Sequence, residues 1–92
     1  MTLRIRRITL DDTPQLVAPT SIDRVQGSGV RLSVLTPGGV CRIHSQDDHS
    51  HFIEFTDDDA FPPIDGLTGD DEVWVSAASG SIEVEVLEQG VA

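Results

Sequence analysis

Three histidines come first among the residues that could do chemistry. His44, His49 and His51 are spaced H-x4-H-x-H, and two imidazoles one residue apart on an extended strand point to one face, as a pair of zinc ligands does. Asp47 or Asp48 would add an oxygen, and Asp57 and Asp59 follow within ten residues. Asp57, Asp58 and Asp59 with Asp65, Asp70 and Asp71 have the composition of a hard-cation site, since calcium takes six to eight oxygens. The spacing does not match an EF-hand loop, and Ser45 to Asp48 reads as a loop that breaks the histidine geometry. The expectation is therefore solvated side chains and no resident metal or other cofactor, with His49, His51, Asp57 and Asp59 as the candidate ligands. Protonation of the histidines near an ordinary pKa of about 6.5 would reduce the local negative charge.

Nucleophile patterns are poorer. Cys41 is the single cysteine, so it forms no internal disulfide and no cysteine-based zinc site. It is expected mid-strand and inward, where a thiol behaves as a small hydrophobe. Ser76, Ser79 and Ser81 lack the G-x-S-x-G setting of a nucleophile elbow. No G-x-G-x-x-G or Walker A pattern occurs, and Gly27-Ser28-Gly29 reads as a strand lead-in. With no convergent acid/base pair in 92 residues, the expectation is a protein that is not an enzyme.

Charge says more about partners. Six Arg against 16 acidic residues, with no Lys, give a net charge of −10, which argues against nucleic acid as a partner. Residues 1–42 hold all six Arg and three acids, whereas residues 43–92 hold thirteen acids and no Arg. Such a split either makes a solvated acidic face or steers a basic segment onto an acidic neighbour. Acid excess without Lys also suits a protein working in high salt, where self-repulsion is screened. No window approaches 18 consecutive apolar residues, and the start, with Arg4, Arg6 and Arg7, does not read as a signal peptide. A chain that neither enters a membrane nor is exported is expected.

The elements that must position these groups are strands. Leu, Ile, Val and Phe supply 27 of 92 residues, enough for one thin core and no second domain. Eight Gly and five Pro interrupt every segment, and no stretch keeps helical spacing over three turns. In Glu72 to Glu88, Val73, Val75 and Ala77 alternate with Trp74, Ser76 and Ala78, then Ile82, Val84 and Val86 alternate with Glu83 and Glu85. A hairpin turning at Ser79-Gly80 would set Val75 opposite Val84, Val73 opposite Val86 and Ala77 opposite Ile82. Trp74 would then lie opposite Glu85 on a partly wet face, marking a subunit contact. A second hairpin is expected around Thr36-Pro37-Gly38-Gly39, a type II turn, with Val34 opposite Cys41, Leu32 opposite Ile43, Arg31 opposite His44 and a bulge near the glycines.

Ser50 to Thr56 reads as a strand with Ile53 and Phe55 inward, and Gln15 to Ala18 as a short strand. Ala60 to Asp71 reads as mostly loop anchored by Phe61, Ile64 and Leu67. Near the start, Leu3 and Ile5 take one phase while Ile8 and Leu10 take the other. A bulge, or an arm that leaves the domain, would explain the switch. The fold expected is an all-β sandwich or jelly-roll-like barrel of about seven short antiparallel strands. Residues 1–12 are an arm or first strand, 13–89 the sandwich and 90–92 a tail.

The segment from Asp71 through Trp74, Ser79-Gly80 and Val84 to Leu87-Glu88 resembles the ending of small β-sandwich structural proteins from the virions of tailed viruses. In them an aliphatic-aromatic pair, small residues with Ser-Gly, and a valine strand closing on Leu-Glu follow one another. The likeness extends loosely back to Gln15-Leu16-Val17-Ala18-Pro19-Thr20. It implies a virion protein of the head-decoration or cement kind, with the major capsid protein or other virion proteins and further copies of itself as partners, and no catalytic residues. A head-fibre or spike base, a tail or neck adaptor, and a receptor- or carbohydrate-binding module are the alternatives. The interface residues expected are Arg4, Arg6 and Arg7, carried by the arm that the phase switch suggests and reaching acids of a neighbouring subunit, together with Trp74 on its partly wet face. The segment His44 to Asp59 is more acidic and His-rich than its counterpart in such proteins.

Overall fold

The computed structural model describes residues 2–18, 28–59, 64–67 and 70–90. Period-two alternation of Val, Ile and Leu with polar residues makes these segments strands. There are eight: β1 (Thr2–Leu10), β2 (Gln15–Ala18), β3 (Ser28–Val34), β4 (Val40–His44), β5 (Phe52–Thr56), β6 (Ile64–Leu67), β7 (Val73–Ala77) and β8 (Ile82–Gly90). They form two antiparallel sheets, ordered β1-β8-β3-β6 and β2-β7-β4-β5. That is the strand order of a jelly roll. The all-β sandwich of about seven short antiparallel strands expected from the sequence is what the chain forms, with eight strands among the described residues.

Both expected hairpins are corrected. β7 and β8 lie in different sheets, as do β3 and β4. Val84 pairs with Ile8 and Val34, whereas Val75 pairs with Gln15 and Ile43. Cys41 pairs with Phe55 and Ala77 rather than Val34, and Trp74 pairs with Leu16 and His44 rather than Glu85. Alternation records which side chains leave water, and it is silent on which backbone each strand bonds. All six residues placed on one face, Val73, Val75, Ala77, Ile82, Val84 and Val86, are indeed buried, but three come from each sheet and meet across the core.

The turns explain the parting. Gly38 at φ 74° and the bond from Gly39 N to Thr36 O (2.9 Å) fit the type II turn. This turn splays its flanking strands against their natural twist, and here the splay carries the chain from one sheet to the other. Gly80 at φ 62° serves the second crossing. The two crossings brace each other: Leu35 N donates to Glu83 O, Glu83 N to Thr36 Oγ1 and Ala78 N to Val40 O. Of the consecutive strand pairs, β4 and β5 alone share a sheet.

Gly39 lies buried in this junction, and a Cβ there would come within 3.0 Å of Val34 Cγ1, Ile82 Cγ2 and Thr36 O. Gly39→Ala is therefore expected to cost about 1–3 kcal/mol by overpacking, lowering the melting temperature by roughly 4–8 °C per kcal/mol. Thermal melts followed by circular dichroism check this, with the exposed Ser81→Ala expected to stay near the parent.

At the N-terminus neither a bulge nor a departing arm accounts for the phase switch. β1 pairs with β8 in unbroken register from Thr2↔Gly90 to Leu10↔Ile82, so of the two expectations for residues 1–12 the first strand is the one that describes this segment. Ile8 and Leu10 face the core, while Leu3 and Ile5 lie on the outer face, 57% and 65% exposed. Arginine takes the core-facing phase in the first half of the strand. Ile53 is a further correction: it shares the phase of Phe55, but Phe55 is buried and Ile53 is 57% exposed. At that end of β4 and β5 an open groove of about 340 Å³ runs between Ile43, His44, Ser45, His51, Phe52 and Ile53. Of the expected loop anchors, Leu67 is buried and Ile64 packs on the core, both within β6; Phe61 lies outside the described residues.

Candidate functional site: an aromatic face on the second sheet

Registers across β2-β7-β4-β5 place Leu16, Trp74, His44 and Phe52 in one row. The next row carries Ser76, Arg42 and Glu54. Both rows lie on the outer face, in the phase opposite to the buried Val75, Cys41 and Phe55. Arg42 stands 4.2 Å over the Phe52 ring and bonds Glu54 through Nε at 2.8 Å, so the cation covers an aromatic face that the strand leaves 40% exposed.

His44 organises the centre. Its Nδ1 lies 2.7 Å from the carbonyl of His49 and its Nε2 lies 2.7 Å from Ser76 Oγ. The carbonyl accepts only, so Nδ1 carries the hydrogen. A neutral His44 then accepts from the Ser76 hydroxyl. A serine bonded to an oriented imidazole is the arrangement of a nucleophile with its base, but Ser76 is 1% and His44 8% exposed. The pair is closed to a substrate and acts as a buried, satisfied network.

That network ties down the loop after β4. Ser45 N donates to His51 O and His51 N to Asp48 O. Ser50 donates from both its N and its Oγ to Asp48 Oδ1, which lowers the Asp48 pKa from its usual carboxylate value. Gln46 clamps the loop to the approach to β7, donating to Asp70 O and accepting from Glu72 N. Held in this way, the His49 ring lies on Trp74 with centroids 4.7 Å apart, and Trp74 Nε1 donates to Glu72 Oε1 at 3.3 Å. Trp74 is half-buried, Leu16 beside it is 39% exposed, and Phe52, beyond His44 in the row, is 40% exposed. The result is a preorganised apolar and aromatic platform, suited to stacking against a partner surface.

The candidate metal ligands do not converge. His49 is taken up by Trp74, His51 is exposed 3.7 Å from Asp48 Oδ2, and Asp59 accepts from Thr56 N and Oγ1 to close the turn after β5. Asp57 is exposed. Among the described residues no three His, Cys, Asp or Glu side chains form a metal-holding group.

The arginines differ in fate. Arg6 turns inward and its Nη2 donates to the Val17 carbonyl on β2, so it serves the chain's own fold rather than a neighbour's acids. Arg7 lies 3.7 Å from Glu85 of the same chain and stays exposed, as does Arg4. Local spacing does not reveal His44 and Ser76 as a pair. Their shared outward phase was visible, but it took the β4–β7 register to bring them together.

Cys41 is fully buried and its thiol is pushed up to about 12 by desolvation. It is expected to resist alkylation by iodoacetamide in the native protein at mildly alkaline pH and to react once the chain is unfolded, as mass spectrometry would show. Because the folded value lies above the unfolded 9.0, the thiol's contribution to stability is full below that pH and is lost as pH rises towards about 12.

No family model matches the chain, and no curated protein or solved structure is significantly similar to it.

Proposed function

We propose that this chain is a non-enzymatic virion structural protein, a decoration or cement subunit on the head of a tailed virus that acts through subunit contacts. The observation that carries the reading is the segment from Asp71 to Glu88. Its likeness to the ends of such proteins coincides with β7, the Ser79-Gly80 crossing and β8, the two strands that sit second in each sheet. Jelly-roll order, which viral capsid and lectin domains share, is support by analogy of fold. The interior offers further support, since Leu10, Val17, Val30, Val75, Val84 and Val86 fill it at 0–1% exposure and leave the outer faces and sheet edges as the surfaces available for contact.

A subunit that binds only the assembled shell stabilises it by mass action. Particles lacking the chain are expected to break open at a lower temperature than complete ones, and added purified protein should restore the difference. Added protein that neither binds nor stabilises the shell contradicts the proposal. The Trp74 platform favours one second reading, a carbohydrate-binding module. For that reading a soluble glycan must perturb Trp74 fluorescence saturably, and a glycan panel without response removes it.

A further inference from the structure

We propose that two copies of this chain join head to tail, the β1 edge of one adding to the β5 edge of the next. β1 and β5 are outer strands of different sheets, and among the described residues each pairs with one strand only, β8 and β4 respectively. The sheet orders put them at opposite sides of the sandwich. The bond from Arg6 to Val17 sets β1 beside β2, and β5 ends the second sheet three positions from β2. β1 runs nine residues without bulge or proline, the kind of open edge that recruits another strand unless something guards it.

Both edges carry exposed apolar residues, Leu3 and Ile5 on one, Phe52 and Ile53 on the other, and the groove beside Ile53 gives an apolar side chain somewhere to go. Charge then selects the pairing. Residues 1–10 hold no acid and expose Arg4 and Arg7, whereas residues 45–59 expose Asp47, Asp48, Glu54, Asp57, Asp58 and Asp59 and hold no Arg or Lys. A second β1 is repelled by arginines and a second β5 by carboxylates, so like edges avoid each other and unlike edges attract. Strand addition supplies the backbone bonds. An interface between two different patches is heterologous and continues from copy to copy until it closes or terminates. This inference concerns only how copies meet, and it stands whether or not the virion reading does.

Sedimentation velocity over a concentration series, near ~0.15 M salt where surface charge still acts over about 8 Å, tests it with two variants of exposed residues. One spoils the β1 edge (Arg4→Glu with Arg7→Glu); the other spoils the β5 edge (Ile53→Lys, Asp57→Lys, Asp58→Lys). Glu54 and Asp59 stay, because they hold Arg42 and the turn. Circular dichroism is expected to show both folded. The parent should associate with concentration. Each variant alone should do so about tenfold or more weakly. An equal mixture should regain association, since the intact β1 edge of one variant meets the intact β5 edge of the other and the reversed edges, Glu on β1 and Lys at β5, are again opposite in charge. A parent that stays monomeric at its highest soluble concentration overturns the inference. So does a β5-edge variant that associates like the parent, or a mixture that stays monomeric.

Discussion

Replacing Phe55 with alanine is expected to remove about 3–5 kcal/mol of stability, while Ile53→Ala, two residues away in the same phase of the same strand, should cost about 0.5 kcal/mol or less. Phe55 is 3% exposed and belongs to the core cluster with Leu10, Val75 and Val84; Ile53 is 57% exposed. A domain of 92 residues has only about 5–14 kcal/mol to lose at ordinary stabilities per residue. Phe55→Ala therefore takes a large share, and its melting temperature should fall by on the order of 15–30 °C. Thermal or urea unfolding followed by circular dichroism measures both variants. Equal losses at the two positions would mean that the end of β5 is covered by protein.

The second large effect is expected at His44. His44→Ala removes the partner of the Ser76 hydroxyl and of the His49 carbonyl together and empties the space between Phe52 and His49. A buried hydroxyl left unpaired costs about 1–3 kcal/mol, and the lost ring adds a cavity, so a total of about 2–4 kcal/mol is expected. Ser76→Ala spares the loop bond and should cost about 1–2 kcal/mol. In the double variant the two losses should fall short of their sum by about 0.5–3 kcal/mol, because the residues share one bond. Trp74 is the single tryptophan, so its emission reports on the loop directly. It should shift in His44→Ala as His49 leaves its ring, and change little in Ser76→Ala. A His44→Ala protein with the parent's melting curve and emission would mean that the buried bonds do not hold this face.

These two positions also mark how far the sequence could be read. Burial was legible wherever alternation was long: Val73 to Val86 was sorted correctly, and Cys41 and Phe55 are inside as their phase requires. Pairing was not legible. A short turn between two alternating runs looks the same whether the chain folds back within one sheet or crosses the core, and both Thr36 to Gly39 and Ser79-Gly80 cross. Ile53 shows the same limit, since phase gives the direction of a side chain and not whether a facing strand extends far enough to cover it.

The phase switch after Ile5 leaves an arm, a bulge or a first strand open, and the unbroken β1–β8 register decides for the strand, with Arg4 and Arg6 in its core-facing phase. Arg6 is accommodated because a long side chain at a sheet edge can reach a backbone carbonyl on the opposite sheet. At the aromatic face Trp74 stood out by type. His44 enters the sequence pattern only as the first histidine of H-x4-H-x-H and as the expected partner of Arg31, and its role depends on a serine 32 positions away, which no local spacing announces.

Copy number and position in purified particles test the central claim most directly, by gel quantitation against the major capsid protein and by labelling with an antibody to this chain. The decoration reading predicts hundreds of copies distributed over the head; absence of the chain from the particle contradicts it.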